Sequence, residues 1–117
     1  MVLRLAVITD IHYGFDTGVK KGAQAPQLVE DFINQAHQFG ADYIVNLGDN
    51  VSSQNPIADE QYRKSLRAQF KRAACPVIDI DGNHDVRFQA RQSPSASVVT
   101  SDHHIIQWNP YLNRYTR

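Results

Sequence analysis

Three polar clusters in this chain, Asp10-Ile11-His12, Gly48-Asp49 and Gly82-Asn83-His84-Asp85, offer carboxylate, imidazole and amide side chains. These are the donors that a hard or borderline divalent cation takes. Asp10 and His12 stand two apart, a spacing that at a strand end points both side chains to one side and lets them share an ion. Asp49 carries two oxygens, enough to bridge two ions. Gly48 and Gly82 lie where a missing Cβ permits a sharp exit from a strand or a close approach of backbone to a ligand. Each cluster alone reads equally well as a turn or a helix cap. The three together, in order, point to a metal site. Nearby, Lys20 in a polar loop is a candidate contact for an anionic substrate, and Tyr13 a candidate for the pocket border.

The elements that must position these clusters are short apolar runs at 5–9, 43–47 and 76–81, each ending at a cluster, which suits strands buried on both faces. Between the first two, Leu28, Val29, Phe32, Ile33, Ala36 and Phe39 recur at helical spacing, with Pro26 in the first turn and Gly40 just past the end. Between the second and third, Tyr62, Leu66, Phe70 and Ala73 do the same, and Lys71 and Arg72 complement the C-terminal dipole. The pattern predicts an α/β fold with a parallel β-α-β-α-β core and the metal site at the carboxyl ends of the strands. Asp79 then faces solvent near a sheet edge. Residues 87–101 read as an exposed loop and 104–108 as a fourth strand, with Trp108 and Tyr111 packing.

Composition narrows the function classes. Twelve Lys plus Arg against twelve Asp plus Glu give a net charge of zero, so no nucleic-acid or membrane partner is expected. A chain of 117 residues supports one domain and one core. The single cysteine, Cys75, forms no internal disulfide and no Cys-rich zinc module; its apolar flank predicts a buried thiol in a reducing, cytoplasmic setting. The N-terminal apolar run is too short for a signal segment or a membrane span.

Asp10-x-His12, Gly48-Asp49-Asn50 and Gly82-Asn83-His84-Asp85 together resemble the first three signature motifs of the calcineurin-like metallophosphoesterases, over residues 5–85. That resemblance implies a β-sandwich flanked by helices and a binuclear centre of manganese, iron or zinc that activates hydroxide against a phosphoester. It implies Asp10 and His12 as ligands of one ion, Asp49 as the bridge, Asn83 as a ligand of the second, and His84 as the catalytic acid or phosphate contact. Asp85 is expected just outside the ligands. The protein serine/threonine phosphatases continue their second motif as Gly-Asp-x-Val-Asp-Arg-Gly, whereas this chain reads Gly48-Asp49-Asn50-Val51-Ser52-Ser53-Gln54. The arginine that grips phosphate is gone, and the chain is more similar to the small-molecule phosphodiesterase and phosphatase branch. Ser52 stands in place of the acid and is expected to take the hydrogen bond from His84 Nδ1.

The family's later Gly-His-x-His has no counterpart after Asp85; His103 and His104 open an apolar run instead. The expectation is a single domain over 1–117 that is truncated, holds at most one ion firmly, and forms a homo-oligomer through the region from His103 to Tyr115. The alternative to a hydrolase of small phosphoesters is a non-catalytic scaffold that keeps the fold around an incomplete metal site.

Overall fold

A computed structural model of the chain describes residues 2–87, 98–99, 102–105, 107–109 and 114–116. Strands β1 (Leu5–Ile8), β2 (Tyr43–Asn46) and β3 (Val77–Asp79) form one parallel sheet in the order β1-β2-β3. The register aligns Ala6 with Ile44 and Ile44 with Val77. Helix α1 (Ala25–Phe39) links the first pair and α2 (Pro56–Phe70) the second.

Local chemistry explains both helices. Pro26 sits in the first turn of α1, and Gly40 ends it at φ 73°, where its N–H reaches back to the carbonyls of Ala36 and His37. Asn55 caps α2, its side-chain oxygen accepting the Ala58 N–H at 2.8 Å, with Pro56 following at the first helical position. Val29, Ile33 and Ala36 of α1 meet Ile44, Leu66 and Phe70 in one buried cluster.

Both crossovers advance the sheet in the same direction. With the usual right-handed connection, both helices therefore fall on one face. The edge strand β1 is consequently not buried on both faces as its apolar run suggests: Leu5 and Val7, on the face away from the helices, are 40% and 52% exposed, whereas Ile78 of β3 on that same face is 8% exposed.

Other expectations shift in detail. Val98–Val99 is a strand (β4) inside the segment read as loop, pairing antiparallel with β5 (His104–Ile105). The single strand read over 104–108 is two, because its two parts pair with different strands: β5 with β4, and β6 (Gln107–Asn109) with β7 (Arg114–Thr116). Tyr111 lies outside the described residues. Cys75 is half-buried rather than buried, packed against the core at the rim of a cavity of about 430 Å³ between α2 and β3.

Candidate metal centre

The ligand loops leave the sheet already tied to one another. Past the end of β1, Asp10 N–H donates to Gly48 O at 3.0 Å, His12 N–H to Asp49 O at 2.9 Å and Tyr13 N–H to Asn50 O at 2.8 Å. Asp10, His12 and Asp49 each adopt left-handed backbone, with φ of 55°, 48° and 55°. Such φ values are uncommon outside glycine and cost free energy that the surrounding structure must offset. Asp10 and His12 are therefore not aligned by a strand's pleat, since β1 ends at Ile8; two left-handed residues turn them to the same side.

The result is a convergence of donors. His12 Nε2 lies 3.5 Å from Asp10 Oδ1 and 4.0 Å from Asp49 Oδ2. Donor atoms of His12, Asp49 and His84 all fall within 4.8 Å of one another. Ligands about 2.1 Å from a common ion stand roughly 3 to 4 Å apart, so this mixed nitrogen and oxygen set fits a divalent cation with little adjustment. The rings of His12 and His84 meet edge to face at 4.9 Å. His12 Nδ1 is buried without a hydrogen-bond partner, which leaves Nε2, already turned toward the two carboxylates, as the ring's donor to an ion.

Gly48 and Gly82 earn their place through each other. A Cβ on Gly48, itself at φ 94°, meets the backbone of Ile80, Asp81 and Gly82, and a Cβ on Gly82 meets the Asp49 backbone and carboxylate. The second and third loops are thus in backbone contact. His84 N–H then donates to Asp49 Oδ1 at 3.0 Å. Asn83 is exposed at the first position of α3 (Asn83–Val86).

Asp85 holds this crossing together. Its carboxylate accepts N–H groups from Asp49 at 2.7 Å, Asn50 at 2.8 Å and Gly82 at 2.9 Å, and its carbonyl accepts from buried Arg63 at 2.8 Å. Burial pushes the Asp85 carboxyl above the ordinary range, against the pull of those three N–H groups. Asp85 is a brace between loops, more specific than the outer contact expected of it. Three further buried polar residues near the site carry no signal in the apolar periodicity or the motifs: Asn46, Arg63 and Asp59. Asn46, 1% exposed, accepts from Gly48 N–H at 3.1 Å and donates to Asn50 Oδ1 at 2.7 Å; an asparagine ending an apolar strand was the available signal. Arg63 and Asp59 continue the buried stripe of Leu66 and Phe70 on α2, a polar extension that apolar periodicity does not register.

The serines differ from expectation. Ser52 Oγ donates to His12 O at 3.1 Å, and it is Ser53 Oγ that lies 2.8 Å from His84 Nδ1. The left-handed backbone of Ser53, φ 58°, swings its hydroxyl to the histidine that Ser52 was to contact. Tyr13 packs on Tyr62 with ring centroids 4.4 Å apart and against the core, while Lys20 is exposed at a small turn paired with Thr17.

Asp79 is exposed by area yet lines the cavity beside Asn46, on the helix side of the sheet and not its solvent side. Enough protein surrounds the carboxyl that desolvation pushes it above the ordinary range, with a hydrogen bond from Asn46 opposing. The cavity lies behind Asp85, and none of Asp10, His12, Asp49 or His84 lines it. Among the described residues no helix is long and apolar enough to cross a membrane.

The model of the calcineurin-like phosphoesterase family matches residues 3–117. The chain belongs to that family. Among solved structures, a dimetal phosphatase from Danio rerio shares its fold, with a TM-score of 0.64 at 20% identity over 72% of this chain. The chain spans 30% of that phosphatase's length. No curated protein matches it. As a member of that family, the chain carries the parallel sheet with candidate metal donors at its carboxyl edge, the fold that its three motifs imply.

Proposed function

We propose that this chain carries the metal-binding part of a hydrolase acting on small phosphomonoesters or phosphodiesters, working with a binuclear centre. The observation that supports this reading best is the convergence of Asp10, His12, Asp49 and His84 from three strand-end loops. Asp10 and His12 would hold one ion, Asp49 would be shared between two, and Asn83 would hold the second. Bound manganese, iron or zinc supplies charge that stabilises a phosphoryl transition state and lowers the pKa of water. Asp49 is suited to sharing because its two oxygens serve different neighbours: Oδ2 approaches His12, and Oδ1 is steadied by the His84 N–H. His84 sits beside the donors with its ring braced by Ser53, placed to give a proton to a leaving oxygen or to contact phosphate. The absence of a phosphate-gripping arginine after Asp49 favours small phosphoesters over phosphoproteins. The balanced charge and lone cysteine suit a cytoplasmic setting.

The test is hydrolysis of bis(p-nitrophenyl) phosphate with added manganese, iron or zinc, paired with calorimetry of metal binding. Metal binding that Asp49→Asn weakens, with at most weak metal-dependent turnover that the same substitution abolishes, is the expected result. Metal binding without turnover under any of the three ions points to the non-catalytic scaffold. Unchanged stoichiometry and affinity in Asp49→Asn overturn the ligand assignment.

A further inference from the structure

We propose that Ser53 is the positioning residue of His84, and that it fixes which ring nitrogen of that histidine carries the proton. Two contacts of one hydroxyl are satisfied together by a single assignment of protons, because a carbonyl oxygen can only accept. Ser53 Oγ donates to the main-chain carbonyl of His84 at 3.0 Å, and the same oxygen lies 2.8 Å from His84 Nδ1. A hydroxyl has one proton. With that proton committed to the carbonyl, Oγ meets Nδ1 only as an acceptor, so Nδ1 bears the hydrogen. Neutral His84 is then bare at Nε2. The free nitrogen is the one that takes an ion or a proton, and only once protonated can it donate to a leaving or phosphoryl oxygen, while Nδ1–H stays tied to the serine.

Backbone geometry gives a second, independent reason. Among the described residues the non-glycine positions with left-handed φ are Asp10, His12, Asp49 and Ser53. Three of them carry the converging carboxylates and imidazole, and the fourth is this serine. Strain of this kind persists where the surrounding structure holds a functional geometry. Ser53 is held at φ 58°, a conformation serine rarely adopts, and there its hydroxyl reaches both atoms of His84 at once. Its neighbour Ser52 ties the carbonyl of His12 in a parallel way, but touches no ring nitrogen. The two serines thus anchor the two histidines, and one of them also sets a tautomer. An acceptor on the second nitrogen is the usual means of fixing ring orientation and basicity in such sites.

This inference deepens the proposed function, since it assigns the reactive nitrogen of the same His84, but its test needs no turnover. The 15N-labelled chain is studied by long-range 15N–1H NMR at a pH where its histidines are neutral, with the His84 ring identified by its loss in His84→Gln. The expected pattern is Nδ1–H with bare Nε2. Ser53→Gly removes the hydroxyl while easing the left-handed backbone, so the fold is spared, and the ring should revert toward the Nε2–H form that unconstrained histidine prefers. Ser53→Asn tolerates the same backbone and restores an acceptor; it should recover the Nδ1–H form. A wild-type ring in the Nε2–H form, or identical spectra in wild type and Ser53→Gly, overturns the assignment. A tautomer that switches as described in a chain without phosphoesterase activity leaves the positioning intact and removes the hydrolase reading instead.

Discussion

The Asp85 carboxylate accepts the backbone N–H of Asp49 at 2.7 Å, across 36 residues of chain. The residue proposed to offer oxygens to an ion is thereby held by one that offers its oxygens to the backbone. Asp85 also takes the N–H groups of Asn50 and Gly82, so a single buried side chain joins the second and third loops.

Asp85→Asn keeps the shape and loses one acceptor oxygen, turning an NH2 group toward backbone N–H donors. At least one donor is then left without a partner in a buried setting, which costs about 1 to 3 kcal/mol. Urea denaturation should show that loss, with metal affinity falling alongside as the Asp49 loop loosens. Wild-type stability in the variant contradicts the bracing role.

Gly82→Ala tests the contact between loops. Gly82 has φ −89°, which alanine adopts freely, so backbone strain is not the issue. The added methyl has nowhere to go, because it meets the Asp49 backbone and carboxylate. The variant should lose metal affinity and stability, of the order of 1 to 3 kcal/mol as overpacking does. A Gly82→Ala chain that binds metal as the wild type does shows that the loops can separate without consequence.

The raised Asp79 carboxyl makes stability depend on pH. Because desolvation raises its pKa above the ordinary aspartate value, the folded chain holds this proton more tightly than the unfolded chain does. Stability contributed by the proton is present below the unfolded pKa and is lost as pH rises through the folded one. Asp79→Asn removes that slope and keeps an oxygen for the hydrogen bond from Asn46. The variant should melt higher than wild type at neutral pH, with the difference shrinking toward pH 4. A difference that grows on acidification contradicts the burial of Asp79.

The sequence by itself determined the β-α-β-α-β order of residues 5–79, the family and the identities of the converging residues. Apolar runs ending in Asp10, Asp49 and Asn83 carry that information locally, because a strand's composition and a helix's period are properties of neighbouring residues. Only the tertiary structure decided which groups meet. That one sheet face stays open at Leu5 and Val7 depends on the direction of two crossovers, which no local pattern encodes. That Ser53 and not Ser52 reaches His84 depends on a left-handed φ that the surrounding packing imposes against serine's own preference. That Asp85 braces Asp49 depends on Gly48 and Gly82 letting two backbones touch, a contact between residues far apart in the chain. Spacing can nominate donors, but distances across loops arise from the sum of packing interactions, and those exist only once the chain has folded.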